Sequence, residues 1–452
     1  MPVSRMTEAR FNALGSWCRA AGTRSALKNA THMSADNEQI LGATFLVIAI
    51  QQYRFVILTR DEHRRFQAFE VSPLFRTNRL AELALESRLQ ELSGSTDIEV
   101  PMAEKTIPGV QLFELLEKVT NLNPMFENLR DSLNPSAARQ MLEEIEPWIK
   151  DKDGNLVRDF QTTGFDGRIW EIYLFAALTE LDFKIDHTHQ RPDFCLSKDN
   201  QKIFIEAVTA NATDNKQVDI KGTSPPPPDD FWNYMENEMP KKFGSPLYSK
   251  MKMRYWEDEH VAGHPLILAI ADFHAQSSMT WSHTAISIYL YGKGVEVRFD
   301  SEGNKYGVEK DVESHGKDDK PIVNFFDQPN AEHISAIMFS NAGTQAKFNR
   351  MGVLAGFGDP KVKLIRRGGL NDPSPGAFDP IIFEVDVEDP DYTEQWADEI
   401  EIYHNPKALN PILDDLFPEV TNFRLENGEL IWRGPSPRVL FSQTRSVAYK
   451  DS

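Results

Sequence analysis

Between Arg168 and Asn211 the chain passes from one amphipathic helix into three short strands, and the last strand carries an acid inside an otherwise apolar run. This ordered stretch, more than any bulk property, limits what the chain can fold into. Trp170, Tyr173, Leu174, Ala177, Leu178 and Leu181 recur at helical spacing and form one apolar stripe. Glu171 flanks that stripe, so its carboxylate is expected beside buried surface, which is costly unless a cation or donors hold it. FKIDHTH (183–189), PDFCLSK (192–198) and KIFIEAVTA (202–210) are strand-length runs, parted at Gln190–Arg191 and at Asp199–Asn200. Asp193 opens the second strand, and Glu206 sits inside the third.

Glu171 on the helix, Pro192-Asp193 on one strand and Glu206-Ala207-Val208 on the next resemble the core motif of the PD-(D/E)xK phosphodiesterase superfamily, the restriction-endonuclease-like fold. The resemblance covers only the middle of the chain, and it departs from the family at Val208, which stands where the family has lysine. It implies an α/β protein with an αβββαβ core, and hydrolysis of phosphodiester bonds with Mg²⁺ (or Mn²⁺). That chemistry needs a hydroxide at neutral pH and stabilisation of the phosphoryl charge, and a hard divalent cation on one or two carboxylates plus waters supplies both. By the same resemblance Asp193 and Glu206 hold the metal, a backbone oxygen at residue 207 completes the site, and Glu171 binds a second cation or a metal-bound water.

The family's lysine orients the attacking water and offsets developing charge. Val208 shares a sheet face with Glu206 but can do neither. Lys202 has the right parity, yet four residues at ~3.3 Å each put it about 13 Å away. Lys250 lies on the helix after the third strand, where Leu247, Met251 and Tyr255 fix the inward face and Lys250 borders it. Related nucleases carry the lysine on such a helix, so Lys250 is the expected water-positioning group. Arg254, one turn on, has a planar fork suited to phosphate, and Lys242 is a second substrate-binding candidate.

Composition sharpens this reading. With 452 residues the chain can form two or three domains. The net charge of −19 argues against a general polyanion-binding surface, so positive charge must be local or come from a partner. Local candidates are Lys241-Lys242, Lys250, Lys252, Arg254 and KVKLIRR at 361–367. Cys18 and Cys195 are too few for a disulfide framework and suit a reducing cytosol. No run approaches the ~20 apolar residues that cross a bilayer, and the N-terminus lacks a signal segment, so a cytoplasmic protein without a membrane partner is expected.

Residues 1–107 read as an α+β module: a helix and polar connector over 1–35, strands at 43–52, 53–60 and 64–71, then a helix over 73–92. With no catalytic group, its expected role is interaction, dimerisation or recognition. Residues 108–163 read as a helical connector, clearest over 134–150 with Asn134-Pro135 as its start. The nuclease-like core is expected over 164–345. It includes a loop at 211–230 with four prolines, helices at 231–239 and 245–260, a buried strand at 264–274, a helix at 278–292, a hairpin within 295–326 and a strand at 333–341. Residues 346–452 read as a C-terminal extension, with a strand at 381–387 and a loop-rich stretch from Tyr392.

Other constellations are weaker. His187 and His189 lack a third zinc ligand, and Asp272 with His274 has the look of a strand end. Gly368-Gly369 lacks the context of a dinucleotide loop, and no phosphate-cradling GxxxxGK[ST] is present. The expectation is therefore a metal-dependent DNA endonuclease of the kind used in bacterial antiviral defence, working as a homodimer or with a partner subunit. The alternative is a degenerate, non-catalytic relative that binds nucleic acid or a partner protein, motivated by Val208 and the negative charge.

Overall fold

A computed structural model describes residues 3–94, 109–117, 119–211, 227–313, 322–374 and 377–448. Its fold is mixed α/β, with four sheets among the described residues. No helix among them is long and apolar enough to cross a membrane.

The N-terminal sheet contains β1 (Ser4–Arg5), β2 (Leu27–Ala35), β3 (Ile40–Val47), β4 (Gln52–Arg60) and β5 (Phe66–Val71) in sequence order, all antiparallel. Helix α1 (Glu8–Gly15) follows β1, and α2 (Asn78–Leu92), capped by the Thr77 side chain, covers one sheet face with Leu85 and Leu89. The expected meander lacked β2. That strand is half polar, and its buried hydroxyl Thr31 is satisfied by Glu82 on α2, a pairing invisible to apolar periodicity.

The connector holds α3 (Pro124–Asp131), α4 (Ser136–Ile145) and α5 (Leu156–Gln161). The helix expected over 134–150 is shorter at both ends. Pro135 occupies its N-cap, and Pro147, which has no N–H to donate, falls in a 3₁₀ turn directly after it.

Next come α6 (Phe165–Glu180), β6 (Lys184–Asp186), β7 (Phe194–Lys198), β8 (Gln201–Asn211), α7 (Phe231–Asn233), α8 (Met239–Met251) and β9 (Leu266–Phe273). They are followed by α9 (Ala285–Tyr291), the hairpin β10 (Lys293–Phe299) with β11 (Lys305–Asp311), β12 (Ala336–Phe339) and α10 (Gln345–Leu354). The chain ends with β13 (Val362–Leu370), β14 (Ile381–Asp386), β15 (Glu401–His404), β16 (Thr421–Glu426), β17 (Glu429–Arg433) and β18 (Val439–Ala448).

An eight-stranded sheet runs β17-β16-β15-β12-β9-β8-β7-β6. Strands β8, β9 and β12 are parallel at its centre and nearly continuously apolar, as strands covered on both faces must be. Ile203, Ile205 and Ala207 face the α6 side, whereas Phe204, Leu266 and Leu268 face α8 and α9. Residues 346–452 are not peripheral to this sheet: β15, β16 and β17 complete it, while β13, β14 and β18 form a separate three-stranded sheet. The helices expected at 231–239 and 245–260 are instead one helical stretch from Phe231 to Met251, through a π-helical turn, with Pro240 in the first turn of α8. The helix expected over 278–292 is reduced to a 3₁₀ turn and α9. Most of the loop expected at 211–230, including Pro225 and Pro226, lies outside the described residues.

One detail of register positions the site. β7 pairs with β8 only as far as Phe194↔Ile205, while β8 continues beside β9 to Asn211↔Phe273. From Glu206 onward β8 therefore has a paired strand on one side only among the described residues, which leaves a notch at the sheet beside α6 and α8.

Candidate active site

Glu206 stands at the first position of that notch and is buried. Its side chain turns toward the end of α8 and the 3₁₀ turn after it, where the Lys250 ammonium and the Tyr255 hydroxyl both donate to Oε1, the hydroxyl at 2.7 Å. The Asp193 backbone N–H donates to Oε2 at 3.2 Å, and the Ala207 N–H returns a bond to Asp193 Oδ2 at 2.8 Å. This reciprocal pair locks the two acids together where β7 begins. Lys152, from the connector, donates to the Asp193 carbonyl at 2.8 Å and fixes the same point from outside.

Glu171 comes from α6. The Arg168 guanidinium, one turn earlier, holds its Oε2 at 2.7 Å and also reaches Asp159 Oδ2 at 2.8 Å. The structure thus brings Glu171, Asp193, Glu206 and Lys250 into one electrostatic neighbourhood. Burial, then the charges of Glu206 and Glu171, push the Asp193 carboxyl up to about 7. Burial also raises Glu171, against the pull of Arg168 and Lys250. At Lys250 burial opposes the ammonium, but Glu206, Asp193 and Glu171 outweigh it and its pKa lies above that of an ordinary lysine. Burial and Glu206 keep Tyr255 a phenol, hence a donor.

Among the described residues these three carboxylates therefore have one cation bonded to a carboxylate of the set alone, Lys250, one shared with Asp159, Arg168, and one on the Asp193 carbonyl, Lys152. An excess of buried acid is what a hard divalent ion relieves, and Mg²⁺ asks for only one or two carboxylates beside waters. The candidate ligands are Asp193 and Glu206, with Glu171 at the rim. Among the described residues no three His, Cys, Asp or Glu side chains stand close enough to ligate one ion together, so waters or a backbone oxygen must complete any such shell.

Arg254 does not join this group. Helix α8 stops at Met251, and Arg254 enters the left-handed region at φ 52°, exposed and paired with Glu257 at 2.6 Å. It is no longer one helical turn from Lys250. Lys242 lies on α8 eight residues earlier, about 12 Å along the axis at 1.5 Å per residue. The basic run at 361–367 is mostly strand β13: Arg366 is buried against Glu399, and Lys363 pairs with Asp386. Val208 packs half-buried against the α8 side, the face Glu206 shares.

Sequence reading missed three participants. Tyr255 passed for core because aromatics usually are; its hydroxyl is what matters here. Arg168 had a usable signal, its i,i+3 spacing to Glu171. Lys152 had none, since the fold alone carries it to Asp193. His189 stacks on His260 with centroids 3.8 Å apart and gathers no ligand set. Asp272 hydrogen-bonds His274 Nδ1 at 2.7 Å, and His274 Nε2 meets the Tyr234 hydroxyl at 3.1 Å, a buried relay distinct from the acid site. Compared with known proteins, the chain matches no family model, no curated protein and no solved structure.

Proposed function

We propose that this chain is a metal-dependent nuclease whose α6–β6–β7–β8–α8–β9 run is a variant PD-(D/E)xK core, acting on DNA in the cytoplasm. One observation carries the reading: the ammonium of Lys250 meets Glu206 beside Asp193, so the cation absent at Val208 is supplied from α8. Mg²⁺ or Mn²⁺, when bound, would supply an activated water and offset charge on the phosphoryl oxygens. Asp193 and Glu206 would hold it. Tyr255 fixes the Glu206 carboxylate, and Arg168 orients Glu171 toward the same point. Lys250, on swinging from Glu206 to a scissile phosphate, orients water and stabilises developing negative charge. The overall charge of −19 makes a basic partner subunit or a homodimer the natural source of DNA-binding surface, and antiviral defence a fitting use.

Cleavage of plasmid and linear DNA with Mg²⁺, Mn²⁺ or chelator, beside Glu206→Ala, tests this reading. Metal-dependent cutting lost in the variant supports it, and equal cutting by both proteins contradicts it. A second reading, a non-catalytic module that binds nucleic acid or a protein, is favoured by Glu206 having both oxygens already hydrogen-bonded. Salt-dependent DNA binding without cleavage under any of these metals identifies that case.

A further inference from the structure

Away from the acids, a cavity of about 420 Å³ opens between the β10–β11 hairpin, the β15–β16 side of the large sheet and the start of β18. Its volume falls in the range of small-molecule sites. Two aromatic pairs line it. Tyr403 and Phe423 stack with centroids 4.5 Å apart and planes 4° from parallel, and Trp232 lies 6.4 Å from Phe378.

The cations at this cavity are already paired, whereas Asp372, which also lines it, accepts from the Ser374 N–H and has no ion pair among the described residues. Arg438 donates to Glu401 at 2.6 Å and lies over the Phe423 ring, while Lys293 bridges Glu309 at 3.2 Å and Asp311 at 2.8 Å. Neither cation is left over for a phosphate. What remains beside the Asp372 carboxylate and the unpartnered Arg438 Nε–H is a set of neutral groups: Asn371 accepts from the Arg438 backbone N–H through Oδ1, which leaves its amide N–H groups as donors, and the Thr284 hydroxyl also lines the cavity. Tyr403 and Phe423 cover one another and form a buried floor, whereas Trp232, 37% exposed and beside Phe378, offers the ring face; with amide, hydroxyl and carboxylate groups around it, that face suits a planar heterocycle with a hydrogen-bonding edge.

We propose that this cavity binds a nucleobase. Register places it usefully. Glu206, Leu268, Ile337, Tyr403 and Phe423 are successive partners across the large sheet, so the aromatic stack lies in the row of the acid site. Four strand spacings of ~4.8 Å separate them by about 19 Å. Leu268 and Ile337 between them are buried under helices, so a strand reaching both sites passes round α8 and α9, and the base can belong to a free nucleotide or to such a strand.

Calorimetric titration of the full chain with the 5′-monophosphates of adenosine, guanosine, cytidine and thymidine, against ribose 5-phosphate, tests the proposal. At least one nucleotide should bind while ribose 5-phosphate does not, and Trp232→Ala should weaken binding about tenfold. Trp232 is 37% exposed, so its loss spares the core, and Phe378→Ala serves as the second variant. Glu206→Ala should leave nucleotide binding unchanged, which separates this cavity from the nuclease reading. A twelve-nucleotide single strand that displaces the bound nucleotide assigns the base to a strand, and one that does not assigns it to a free nucleotide. No binding of any of the four at millimolar concentration, equal binding of ribose 5-phosphate, or unchanged binding in both aromatic variants overturns the proposal.

Discussion

Two clusters of carboxylates in this molecule, one buried and one partly buried, meet their charges in different ways. Around Glu394, Lys347 and Arg350 bond the carboxylate at 2.7 to 2.9 Å, Tyr392 adds a hydroxyl, and Arg366 lies beside it bound to Glu399. Three cations meet two acids. Burial alone would raise Glu394, yet Arg350 and Lys347 hold it well below the usual carboxylate range. This cluster joins α10 to β13, and both Glu394 oxygens are held by cations. Around Asp193 burial and the neighbouring Glu206 and Glu171 outweigh the pull of Lys250, and the carboxyl is raised instead of lowered. The first arrangement is how a fold makes buried charge safe. The second leaves an electrostatic demand that a ligand can meet, which is why we read it as the working site.

The sharpest way to break this contrast is to remove one acid from each cluster. Glu394→Ala removes the ion partner of the fully buried Lys347 and the closest one of Arg350, and should cost about 3–5 kcal/mol in chemical denaturation. Asp193→Asn removes a repelled charge and should leave stability unchanged or higher. Comparable losses in the two variants would erase the distinction.

The next largest effect concerns Lys250, proposed to stand in for a lysine at Val208. Lys250→Met should slow DNA cleavage by about 10²–10³-fold. Adding Val208→Lys puts an ammonium back on the Glu206 face and should recover part of that loss. If the double variant cuts no better than Lys250→Met, the exchange between the two positions is wrong.

The clusters also differ in pH response. The folded Asp193 pKa of about 7 lies above its unfolded value near 3.9, so between those pH values the folded protein binds the extra proton. This group's contribution is present at low pH and is lost as pH rises through about 7. Glu394, held low, contributes in the opposite sense: its stabilisation is present above the unfolded carboxylate pKa near 4.3 and is lost as pH falls below it. Thermal melts of metal-free protein should therefore show a decline from about pH 4 to 7 that Asp193→Asn flattens. Smallest of all, Tyr255→Phe deletes one hydrogen bond to Glu206 and should reduce cleavage about tenfold, with little change in the melt.

How far the chain could be read in advance follows the same physics. Helix α6 and strands β7, β8 and β9 were legible because burial on both sides enforces strong apolar patterns, and the acids stand out against them. Lys250 was legible because the apolar residues of α8 fix its inward face. The charged and polar strands were not. β15 reads as loop because Glu401 and His404 look exposed, yet His283 and Arg438, far away in sequence, satisfy Glu401 in the interior. The placement of Arg254 failed because α8 ends one residue after Lys250, and nothing in MKMRYW announces that stop.

The most direct test of the central claim is a calorimetric titration of Mg²⁺ into the intact protein, repeated with Asp193→Asn and Glu206→Ala. Saturable binding by the wild type that both variants lose, with the Lys347–Glu394 cluster and the fold undisturbed, is the predicted result. Wild-type binding that persists unchanged in both variants, or no binding of Mg²⁺ or Mn²⁺ at all, would contradict it.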